Sequence, residues 1–164
     1  MTIRNYPHAS RTVESFDVPS PAIGQFYFQG NETATVIAQQ NVFYPIVGTP
    51  TEGILNNGFI NGSDRITCLV SKLSIYLVKV VLNFSSGNNN QIDFGVFTSR
   101  LNEVKPESII QTTANSSGRQ ENVVVQALVA MAKDDYFEVH VRNTSAATNV
   151  TVTNINVIVT EVAQ

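Results

Sequence analysis

One stretch constrains this chain more than any other. From Leu73 to Ser85 the residues alternate at period two, with Tyr76, Val78, Val80, Leu82 and Phe84 on one side. That period belongs to a β-strand, whose successive side chains project to opposite faces. The other side reads Ile75, Leu77, Lys79, Val81 and Asn83, and it too is largely apolar. Antiparallel strands commonly set one face on a core and the other in water. A strand apolar on both faces needs cover on both, and a two-layer monomer has no third layer for its outer face. Something else must supply that cover.

Composition agrees with a β architecture. Of 164 residues, 50 are Val, Ile or Thr and 17 are Asn, against only seven Leu. This is strand-and-turn usage, and it argues against helical bundles and coiled coils. At 164 residues one domain of ordinary size is expected, with at most an added arm. Charged residues make up 14% and the net charge is −3. The weakly acidic balance offers nucleic acid no electrostatic footprint, so none is expected as a partner. No apolar run approaches the ~18 residues of a membrane span, and Lys79 breaks the longest, Leu77 to Leu82. Met1 to His8 hold no hydrophobic signal-peptide region, and the lone Cys68 has no disulfide partner. A chain made and kept in a reducing cytoplasm, or assembled there, is the expectation. The Asn-x-Ser/Thr triplets beginning at Asn31, Asn61, Asn83 and Asn143 then read as by-products of an Asn- and Thr-rich composition.

Residues 1–30 differ from the rest. They hold Pro7, Pro19 and Pro21 together with Tyr6, Phe16, Phe26, Tyr27 and Phe28, without clean periodicity. Proline fixes φ and removes a donor, which favours extended chain outside a sheet interior. Five aromatics in thirty residues point to a segment buried against something, so an N-terminal arm is expected over 1–30 and a sandwich over 31–164. Strands are expected at Thr35–Ala38, Asn41–Val47, Arg65–Val70, Leu73–Ser85, Gln91–Ser99, Glu121–Met131, Tyr136–Asn143 and Val150–Val162. Asn- and Gly-rich turns lie between them, and a polar excursion fills Ser108–Gln120. In the last strand the apolar parity slips near Thr153 and Asn154, which implies a bulge or a break.

No catalytic or metal-binding constellation is expected from the sequence. His8 and His140 have no second His or Cys near them, so no zinc or iron site is expected. Asp64, Asp93 and the Asn runs form no spaced calcium loop. No nucleophile elbow or phosphate-binding loop occurs. Cys68 lies in an apolar strand as a small hydrophobe, and Asp134, Asp135 and Glu138 read as a turn running into a strand. Neither a catalytic residue nor a cofactor is expected. Partner surfaces are better supplied. If the Tyr136–Asn143 strand neighbours Leu73–Ser85, then Tyr136, Glu138, His140 and Arg142 extend the face carrying Ile75, Leu77 and Val81. Such a mixture of apolar and complementary charged groups suits a subunit interface.

The long strand Leu73 to Phe84, the Asn-rich loop after it, and the run from Leu128 through Tyr136 to Asn143 resemble the trimeric jelly rolls. These are the tumour-necrosis-factor-like and complement-globular-head-like domains, many carried on phage virions. Asp134 departs from their pattern, which often has Gly in that turn. The resemblance covers about residues 33–162. It implies an all-β, two-sheet antiparallel jelly-roll sandwich, a homotrimer whose threefold axis is lined by the outer face of one sheet, and no enzymatic role. With a short aromatic arm it further implies a phage capsid decoration (cement) protein on the virion surface. Tyr6, Arg11, Phe16, Phe26, Tyr27 and Phe28 would then reach the major capsid protein. The alternative under the same fold is the receptor-binding tip of a phage fibre or spike, with a host-surface receptor as partner.

Overall fold

The computed structural model describes residues 21–56, 58–62, 65–116 and 118–163. Twelve strands run in chain order: β1 Ile23–Phe28, β2 Tyr44–Pro45, β3 Thr51–Asn56, β4 Phe59–Gly62, β5 Arg65–Cys68, β6 Ser74–Ser85, β7 Asn90–Thr98, β8 Glu103–Val104, β9 Ile110–Ala114, β10 Glu121–Met131, β11 Tyr136–Asn143 and β12 Thr151–Ala163. They form two antiparallel sheets. The first has the order β10-β6-β12-β1-β3; the second runs β4-β5-β11-β7-β8, with β2 added to β11 and β9 to β7. This is the all-β jelly-roll sandwich expected from the sequence.

The core lies between the sheets. Tyr76, Val78, Val80, Leu82 and Phe84 of β6 point inward, as do Val123, Val125 and Val129 of β10 and Ile155, Val157 and Val159 of β12. Opposite them stand Ile92, Phe94 and Val96 of β7 and Phe137, Val139 and Val141 of β11. Phe84 meets Phe94 edge-on across the gap, with ring centroids 4.9 Å apart. Cys68 is buried, and its thiol lies 3.5 Å from the Tyr76 hydroxyl. The parity slip in β12 is a register shift between Val152 and Asn154, which returns Ile155 to the core side.

The boundary at residue 30 is corrected. Ile23–Phe28 is not arm but a full strand, paired with β12 from Ile23↔Thr160 to Phe28↔Ile155 and with β3 on its other edge. Phe26 and Phe28 are buried core and Tyr27 faces outward. Gly24 hid the alternation: it occupies an inward position where a Cβ would sit 2.8 Å from Val159 Cγ1, so no apolar side chain marks it. Two expected strands shrink. Thr35–Ala38 keeps only the single bridge Thr35↔Val150. Asn41–Val47 keeps only Tyr44–Pro45, because Asn41 takes a left-handed φ of 66° and Pro45 brings no donor. Conversely β9 falls in the stretch read as a polar excursion. It is an edge strand burying only Ala114, so no apolar alternation announces it.

Polar side chains fix the loops. Asn143 is fully buried; its Oδ1 accepts from the amides of Ser145 and Ala146 (3.0 Å each), and its Nδ2 donates to the Thr148 carbonyl. An amide so employed is not open to glycan attachment in the folded chain. Asp134 supplies the left-handed turn residue at φ 70°, a conformation short polar side chains tolerate, where the resembled family often has Gly. Asp135 closes the turn, accepting from the Ala132 amide at 2.9 Å and from Arg100 at 3.1 Å.

Candidate functional site

The sandwich has two outer faces, and they are finished differently. On the second sheet the chain covers strand β7 itself, while Ile60 of β4 and Ile110 of β9 stay exposed. Lys105 to Ile109 pass close over β7, so that a Cβ on Gly95 would lie 2.5 Å from Val104 Cγ1 and 3.3 Å from Ser108 Oγ. Ser108 Oγ accepts from the Val96 amide and donates to the Lys105 carbonyl, which holds that strap in place.

The β11 row lies on this covered face and satisfies itself. Arg142 gives Nε and Nη2 to one oxygen of buried Asp93, at 2.8 and 2.7 Å, while its guanidinium lies 4.5 Å over the Phe43 ring. His140 Nε2 meets Glu138 at 2.8 Å, and its ring stacks on Phe97 with centroids 4.7 Å apart and planes 5° apart. Arg65 caps Tyr136 at 4.5 Å. The supposition that β11 neighbours β6 is therefore corrected. β11 pairs with β2, β5 and β7 in the second sheet, and β6 pairs with β10 and β12 in the first. Tyr136, Glu138, His140 and Arg142 stand on the opposite side of the sandwich from Ile75, Leu77 and Val81. Two apolar-cored strands of similar pattern carry no mark of which sheet each joins, so adjacency was not legible.

Burial of His140 pushes its pKa below the ordinary 6.5, and hydrogen bonding and charge from Glu138 pull only partly back. The folded chain thus resists a proton that the unfolded chain accepts, so stability is full above about pH 6.5 and falls as pH drops below it. The melting midpoint is expected to fall between about pH 8 and 5. His140→Gln, which keeps a donor toward Glu138, should flatten that dependence in a pH series of thermal melts.

Among the described residues the outer face of the first sheet has no such cover. Ile75, Leu77 and Val81 of β6 stand beside Leu128 and Val124 of β10, through the pairs Leu77↔Leu128 and Val81↔Val124. Ile158 of β12 joins them opposite Lys79. All six are exposed, from 37% at Leu77 to 56% at Leu128. Scattered exposed aliphatics are ordinary, but contiguous ones on adjacent strands mark an interaction surface. Val124, Leu128 and Ile158 were not singled out from sequence. Their own strands carry the signal, since β10 and β12 are rich in apolar residues at both parities.

Tyr6, Arg11 and Phe16 lie outside the described residues. Among the described residues no three His, Cys, Asp or Glu gather where they could hold a metal ion. No helix there is long and apolar enough to cross a membrane.

The sequence matches no family model, and no curated protein resembles it in sequence. Its fold does have counterparts among solved structures. Eiger TNF from S. frugiperda superposes with a TM-score of 0.58 at 11% identity, over 87% of this chain and 94% of that one. Murine APRIL gives 0.57 at 8%, over 84% and 98%. The PRD1 vertex protein P5 gives 0.54 at 10%, over 88% and 99%. Over nearly its whole described length, this chain has the TNF-like jelly-roll fold.

Proposed function

We propose that this protein is a structural subunit of a phage virion, a trimeric capsid decoration protein that binds and stabilises the assembled shell. The observation carrying this reading is the apolar face of β10, β6 and β12, uncovered among the described residues, set against a second sheet whose strand β7 the same chain covers for itself. Three copies packed around a common axis bury that face, and closed symmetric assemblies are the usual way such surfaces are hidden. The likeness in fold to a vertex protein supports a place on a virus particle.

With β1 returned to the sandwich, the reach toward the major capsid protein falls to residues 1–20, with Tyr6, Arg11 and Phe16 as contacts. Three such segments on one trimer raise the effective concentration of each once the first is bound. Deleting residues 1–20 leaves every described strand intact, since β1 begins at Ile23. The truncated protein is expected to keep its assembly state and to lose capsid binding in a co-sedimentation assay. Normal decoration of capsids by that truncation overturns the role given to the segment. The fibre-tip reading shares the fold and is favoured by one feature, the amide-lined cleft described next; electron microscopy of labelled particles separates the two.

A further inference from the structure

One end of the first sheet's outer face has a chemistry of its own. Across the strands its rows read Tyr27, Asn156, Val81 and then Asn154, Asn83, Asn122. Gln25, Tyr27, Gln29, Asn83, Asn154 and Asn156 line a cleft of about 360 Å³ there, with Val81 at its side and no charged group in its wall. A second hollow of about 310 Å³ shares Phe28 and Gln29 with it and continues past Gly30 and Asn31 to Thr49 and the carboxylate of Glu32.

The amides are held without being used up. Gln25 Nε2 donates to Asn156 Oδ1 at 2.8 Å, the Gly30 amide donates to Asn154 Oδ1 at 3.1 Å, and Asn83 Nδ2 donates to Asn122 Oδ1. Among the described residues this leaves Nδ2 of Asn154, Nδ2 of Asn156 and Oδ1 of Asn83 without partners. Donors and an acceptor therefore sit fixed around one hollow, with a phenol beside them. Fixed groups lose little entropy on binding.

We propose that this cleft binds a neutral carbohydrate. Sugar hydroxyls both donate and accept, and a primary amide offers a donor and an acceptor from one rigid plane. The Tyr27 ring provides a flat apolar surface for the C–H side of a pyranose. A phosphate, sialic acid or uronic acid would find no cation in the wall, and an apolar ligand would strand the amides. The volume is within the range of small-ligand sites, about 300–1,000 Å³, and the adjoining hollow gives room for a second ring. One copy of the chain supplies every group of this site, which shares Val81 with the apolar face assigned to the proposed trimer.

Saturation-transfer NMR on the full chain tests it, with methyl glucoside, methyl galactoside, methyl mannoside and N-acetylglucosamine as probes. Sialic acid and inorganic phosphate serve as charged counter-probes. At least one neutral sugar is expected to show transfer with millimolar affinity, and the charged probes none. The double variant Asn154→Ala, Asn156→Ala should weaken binding at least about tenfold. Tyr27→Leu, which keeps apolar bulk on β1, should do the same if the double variant folds poorly. Sedimentation of the same samples separates this from the assembly reading, since loss of sugar binding at unchanged mass concerns the cleft alone. No transfer from any neutral sugar overturns the proposal, as does equal transfer in both folded variants. So does wild type without transfer whose assembly weakens in the variants, which assigns the amides to contacts with a second copy.

Discussion

Replacing Leu77 by Asp is expected to reduce the sedimenting mass from the three times 17.9 kDa of the proposed trimer to one, while the far-ultraviolet circular dichroism of the sandwich is retained. Leu77 is 37% exposed and points away from the core, so the change leaves the packing between sheets untouched. Its neighbour across the strand pair is Leu128, and the next apolar row along β6 is Val81 beside Val124. In an assembly that buries this face, each copy would hold a carboxylate with no partner. A lone buried charge costs on the order of 3–5 kcal/mol, and three per assembly exceed what a modest apolar interface returns. The effect should depend on protein concentration, as any coupled assembly does. Wild-type protein that sediments as a single chain at high concentration would remove the basis for the trimer.

Phe84→Ala should act in the opposite manner, lowering stability at every concentration. Phe84 is fully buried and packs edge-on against Phe94 of the facing sheet. Truncating such a residue costs about 3–5 kcal/mol through lost transfer energy and the cavity left behind. Against a net stability of about 5–15 kcal/mol, that is a large share. A urea titration followed by fluorescence or circular dichroism reads it as a lowered midpoint. A change below about 1 kcal/mol would contradict the placement of Phe84 between the sheets.

Much of the sandwich was legible because its longest strands alternate strictly. β6, β11 and the bulge in β12 could be read from parity alone, and the double apolarity of β6 anticipated the bare face seen on the first sheet. What was lost followed from three physical causes. Glycine at an inward site erased the alternation of β1, and the tight approach of Val159 and Phe59 explains why no side chain stands there. Edge strands such as β9 bury too little to show a period. Sheet membership is decided by pairing over long separations, so the row Tyr136, Glu138, His140, Arg142 was identified as an outward row yet assigned to the wrong side. The amide cleft drew on Gln25, Asn83, Asn154 and Asn156, four scattered polar residues that only strand register brings together.

The pairing of β1 with β12 sets the order in which the molecule can be made. Its register joins Ile23 to Thr160, so β1 can meet β3 early but gains its second partner only once residue 160 has left the ribosome. Closing so long a loop early is entropically costly, and folds dominated by distant pairings form slowly. Until then the inward rings of Phe26 and Phe28 and the unpaired edge of β12 are open to other nascent chains. Low temperature during expression, or a chaperone that holds the amino-terminal third, should each raise the yield of native protein.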